Sequence, residues 1–153
     1  METFNPKEHF KVTLMLFTAM LGGIFIFAMV ALYLNYGKVE PEQDITLFLI
    51  IAIALAVNAV FAGDLVAKKI VNKALNGTFQ EKMDAYRSAT IVKLALLEGT
   101  ALFSIVTYLI TANLMLLIVA ALMAVIFRYH RPTPVRVAKT MQLKKEEAVQ
   151  LTR

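Results

Sequence analysis

Residues 12–34 carry no charged side chain, and their apolar positions run on without the alternation of a strand or the polar stripe of a surface helix. Three more runs follow. Residues 45–67 hold one charge, Asp64, near the end; 91–112 hold Lys93 at the edge and Glu98 inside; 114–129 begin beside Asn113 and finish on Arg128 and Tyr129. A hydrocarbon layer about 30 Å thick needs roughly 20 residues of helix to cross it. Helix satisfies its own backbone there, which an open strand cannot do. The pattern predicts an all-α, polytopic membrane protein with four transmembrane helices at about 12–34, 45–67, 91–112 and 114–129. These form a transmembrane domain over residues 1–131, followed by a basic tail, 132–153. The first run is longer than a secretory core of about 7–15 residues and lacks a small-residue cleavage pattern, so it is read as retained.

The cations set the expected orientation. The connection 37–44 holds Lys38 against Glu40, Glu42 and Asp44, whereas 68–90 holds Lys68, Lys69, Lys73, Lys82 and Arg87. The chain from 128 onward adds seven more Lys and Arg. The positive-inside rule puts both termini in the cytoplasm, in a multi-pass protein of the inner (plasma) membrane. The net charge of +5 then reflects topology, and no nucleic-acid partner is expected, because no reading motif accompanies it. The 59% apolar content exceeds what so short a soluble chain can hide. Cysteine is absent, which excludes disulfides and thiolate metal sites.

Beyond the second run, the lysines Lys68, Lys69 and Lys73 recur at helical spacing as a stem. Together with Arg128 and Arg131 they are placed to meet anionic lipid heads, so membrane lipids are the first expected partner. Asn76-Gly77 stops this helix, and Thr78 with Glu81 three residues later starts another that runs unbroken into the third span. Asn113 marks a tight turn between the last two spans. Arg131-Pro132-Thr133-Pro134 breaks the helix, and 135–151 reads either as a membrane-surface helix or as a frayed end.

Two carboxyls lie within apolar runs. Glu98 is seven residues past Ile91, about 10 Å into the hydrocarbon. A bare carboxylate there costs about 2.5 kcal/mol or more, so it must pair, hydrogen-bond, meet water or hold a proton. Lys93 cannot serve it, since five residues place the two about 140° apart around the helix. Asp64 has a routine ion-pair partner in Lys68, one turn on. Alternatively Asp64 shares a proton with Glu98, at similar depth on an antiparallel helix. Asn58, near mid-span, offers a hydrogen bond or a structural polar contact. Ala19-x-x-x-Gly23, with Gly22 beside it, is a helix-packing pattern, and Ala120-x-x-x-Ala124 a weaker one. His9 and His130 lack companion ligands. No phosphate loop or nucleophile arrangement occurs, so no enzyme activity, catalytic residue, cofactor or metal is expected.

The stretch from Lys68 to Ile110, with Lys73-Ala74-Leu75-Asn76-Gly77 at a loop and Leu97-Glu98 in the following helix, resembles the cytoplasmic loop and carboxylate helix of the ATP-synthase c-subunit (proteolipid) family. It covers about a third of the chain. The resemblance implies that Glu98 is an ion-binding carboxylate and that Thr100 sits where sodium-type members place a hydroxyl. As a whole, the chain resembles small four-span bacterial membrane proteins with a Glu-containing third helix and an Arg-Pro-Thr tail, here Arg131 to Thr133. That group implies no activity. The leading expectation is a membrane protein in which Glu98, with Asp64, Thr100 and Asn58 as further candidates, binds a proton or ion, alone, as a homo-oligomer or within a membrane complex. The alternative is a structural or assembly component, and the third is a small-molecule exporter, on the strength of four spans and one buried Glu.

Overall fold

The computed structural model describes residues 5–38 and 44–151. Glu40, Glu42 and Arg153, which enter the orientation reading, lie outside them. The described residues form six helices: α1 (Pro6–Asn35), α2 (Thr46–Ala74), α3 (Phe79–Thr111), α4 (Leu114–Tyr129), α5 (Pro134–Thr140) and α6 (Lys145–Val149). α1, α2 and α3 are each long and apolar enough to cross a membrane. α4 has 16 residues, about 24 Å, and α5 leaves it at a bend of 78°. Three to four crossing helices make this a multi-pass membrane protein.

Local chemistry sets the helix ends. Asn5 caps α1 by accepting from the Lys7 and Glu8 amides, with Pro6 at the first position. At Thr78 the capping box forms: Glu81 accepts from the Thr78 amide at 2.7 Å, and the Thr78 hydroxyl accepts from the Glu81 amide at 3.3 Å. The helix it starts runs without interruption for 33 residues. Ala112 takes the left-handed conformation, φ 54°, and Asn113 then caps α4 by accepting from the Met115 amide.

α3 is the central helix. In its most apolar stretch 39% of residues are buried, against 17% in α1 and in α2. Leu94, Leu97, Ala101, Ile105 and Tyr108 line a core completed by Phe17 and Ile24 of α1, Ala52 and Ala59 of α2, and Leu116 to Phe127 of α4. α1 and α3 run the same way, and at their far ends Asn35 Nδ2 donates to the Tyr108 carbonyl at 2.9 Å. Hydroxyls on α3 are satisfied internally: Thr100, Ser104, Thr107 and Thr111 each donate to the carbonyl four residues back. They enter the apolar core without leaving a donor unpaired.

A second core lies at the basic end. Val71, Met83, Tyr86 and Ala89 meet Val137, Met141 and Leu151. The tail is therefore neither a surface helix nor frayed, as the sequence suggested. Thr133 caps α5 by accepting from the Arg136 amide at 3.2 Å, and Val137 and Met141, four residues apart, turn one face onto α2 and α3. Burying a side chain of this kind stabilises by about 1.5–3 kcal/mol. Val137→Asp should therefore speed trypsin cleavage after Arg136 and Lys139 by about tenfold or more, with α1–α4 helicity unchanged; equal cleavage rates in parent and variant would show an undocked tail.

Candidate functional site

α3 carries Lys93 and Glu98, about 7.5 Å apart along its axis and about 140° apart around it. They face different neighbours. Lys93 faces α2 and packs beside Gly63, where a Cβ would sit in ordinary contact, 3.5 Å from Lys93 Cγ and 3.7 Å from Leu96 Cδ1. Lys93 Nζ donates to Asp64 Oδ1 in an ion pair between the two helices. Its side chain is 16% exposed and that of Asp64 46%. This corrects both expectations for Asp64, which neither pairs with Lys68 nor meets Glu98. Lys68 sits on the exposed side of α2, whereas the contact at Gly63 brings the Lys93 ammonium level with the carboxylate.

Glu98 turns toward α1. Its Oε1 lies 3.9 Å from where a side chain on Gly23 would begin, and Gly23 is itself exposed. Glu98 is half-buried and has no hydrogen-bond or ion-pair partner among the described residues. The small-residue pattern on α1 therefore makes a notch beside a carboxyl. It does not make a tight contact: Ala19 is exposed, and a Cβ on Gly22 would meet nothing within 4 Å. Close packing occurs instead along Ala52, Ala59 and Gly63 of α2 and at Ala120 and Ala124 of α4, all buried.

The other candidates do not gather around Glu98. Thr100 is buried, with its hydroxyl donated to the Leu96 carbonyl at 3.0 Å and the Leu55 carbonyl at 3.4 Å. That hydroxyl donates to backbone carbonyls of α3 and α2. Asn58 is exposed on α2 and has no partner among the described residues. Lys68, Lys69, Lys73, Arg128 and Arg131 are all exposed at the basic end. His9 Nε2 meets Asp84 Oδ1 at 2.9 Å, tying the start of α1 to α3. His130, one residue past α4, has Nδ1 2.8 Å from the Ile126 carbonyl, and burial pushes its pKa below the usual 6.5. Among the described residues no group of three or more metal-ligating side chains converges.

Comparison with protein-family models, with curated proteins and with solved structures finds no match for this chain.

Two outcomes follow for the charged groups. Removing Asp64 strands Lys93, the more buried partner, so Asp64→Asn should cost about 1–3 kcal/mol and more than Lys93→Met; equal small losses in thermal unfolding would show a water-exposed pair. His130 is favoured neutral in the folded chain. Its contribution to stability is fully present above its unfolded pKa near 6.5 and declines as pH falls below it. His130→Gln should remove that part of the acid sensitivity.

Proposed function

We propose that this chain is a four-span protein of the inner (plasma) membrane, with both ends cytoplasmic and no enzymatic activity, in which Glu98 takes up and releases a proton or a small cation inside the bilayer. One observation carries the reading: a carboxyl with no partner among the described residues, in an apolar stretch of the central helix beside the open notch at Gly23. A charge at such depth is costly, and the neighbours that could neutralise it are committed elsewhere. Lys93 is held by Asp64. Carrying a proton or an ion lowers that cost, and a group that does so reversibly can exchange it. The missing side chain at Gly23 leaves room for the exchange. The likeness of the α2–α3 hairpin to the proteolipid family favours the same role. Four spans and cytoplasmic termini fit the cation distribution, with Asn113 and Tyr129 extending the apolar run of α4 toward full thickness.

A second reading, an assembly component of a membrane complex or a homo-oligomer, is favoured by Asn58. An amide on the lipid-facing side near mid-span leaves hydrogen bonds unmade, and a neighbouring helix would satisfy them.

Carbodiimide labelling of the protein in lipid vesicles separates the two. The reagent attacks protonated carboxyls, so modification at Glu98 should decline as pH rises, and an ion-driven flux through the vesicles should vanish in Glu98→Gln. Gln reproduces the neutral acid's shape, so folding should survive. No labelling at any pH, or full flux in Glu98→Gln, would remove the exchange role, and no flux in the parent would leave the assembly reading.

A further inference from the structure

A cavity of about 340 Å³ opens at the basic end of the bundle, between α2, α3, the end of α4 and α5. Its floor is apolar, formed by Val71, Ala89 and Leu94, and its wall carries Lys68, Lys93 and Arg136 against a single acid, Asp64. The size falls within the range of small-molecule sites, about 300–1000 Å³. The ion pair cancels Lys93 against Asp64, which leaves two cations with no carboxylate in the cavity wall to answer them.

The donors are partly pre-positioned. Arg136 Nη1 donates to the Tyr129 carbonyl at 2.9 Å and the Arg131 carbonyl at 3.3 Å, and the guanidinium lies 5.5 Å from the Tyr129 ring centre. These contacts fix the head group while Nε and Nη2 keep no partner among the described residues. A planar guanidinium held this way presents a fork that matches a tetrahedral oxyanion. Lys68, exposed on α2, lines the same cavity and adds a point charge, and exposed Asn72 and Thr140 add neutral polar groups. The docked tail is what brings Arg136 to the cavity, since Val137 beside it is anchored in the second core.

We infer that this cavity binds a phosphate group, with Lys68 and Arg136 as its cationic ligands and the Asp64–Lys93 pair as its fixed wall. Two uncompensated cations suit a phosphate mono- or dianion, and the apolar floor suits the carbon groups esterified to one. The phosphate can belong to an anionic phospholipid head or to a soluble molecule. Asp64 lies at the end of an apolar run, so the opening is level with the headgroup region, which both sources reach. The inference does not depend on Glu98, which faces α1 on another side of α3.

The full chain in non-ionic detergent is titrated with inorganic phosphate, using potassium chloride of matched ionic strength as control. Separately it is titrated with phosphatidylglycerol in mixed micelles, using phosphatidylcholine as control. Thermal unfolding reports binding. At least one titrant should raise Tm saturably above its control: phosphate alone identifies a soluble anion, phosphatidylglycerol alone a lipid head, both a site that takes either. Lys68→Gln with Arg136→Gln should weaken binding by about tenfold or more. Thr140→Trp, at an exposed rim position, should block the cavity without changing charge, and it decides the matter if the double variant does not fold. Neither titrant exceeding its control, or a rise unchanged in Thr140→Trp, overturns the site.

Discussion

A full charge has no cheap place inside hydrocarbon, and each ionisable group in an apolar span must be answered by another charge, by water or by a proton. The arrangement of this molecule follows from how that demand is met at three side chains on two helices. Lys93 and Asp64 answer each other across the α2–α3 contact, near the level where the apolar stretch ends. Glu98, about 7.5 Å further along α3, is answered by nothing among the described residues. The separation is enforced by helix geometry: positions five apart cannot share a face, so the cation that serves Asp64 is denied to Glu98.

The same central helix holds the bundle together. Its apolar face packs against α1, α2 and α4, and its hydroxyls bond within the helix, so polar residues enter the core without unmet hydrogen bonds. Ala52, Ala59 and Gly63 give α2 a narrow face, and the contact at Gly63 seats Lys93 beside Asp64. Below the apolar region the helices continue into a second core that the tail completes. The tail thereby becomes part of the wall of the basic cavity.

Features written in neighbouring residues were legible in the sequence. The apolar runs, the capping box at Thr78 and the turn at Asn113 each depend on a few consecutive positions. The partner of Asp64 was not legible, because it depends on the register between α2 and α3, and a lysine one turn away offered a simpler pairing. The small residues on α1 matched a packing pattern, yet which side of α1 meets α3 is decided by Phe17 and Ile24, leaving Ala19 and Gly23 exposed. The docking of the tail was hidden for a similar reason. Val137, Met141 and Leu151 are too few to mark an amphipathic helix, and their partners on α2 and α3 lie far earlier in the chain. Glu98 stood out at once, since a lone acid in an apolar run is conspicuous; that its neighbour would be a glycine notch was not.

The protonation state of Glu98 in a bilayer tests the central claim most directly. Infrared difference spectra of the parent against Glu98→Gln, in lipid near neutral pH, isolate the stretch of this one carboxyl. The account predicts a protonated carboxyl band that is lost in the variant and fades in the parent as pH is raised. A band of the ionised carboxylate alone, unchanged down to mildly acidic pH, would contradict it.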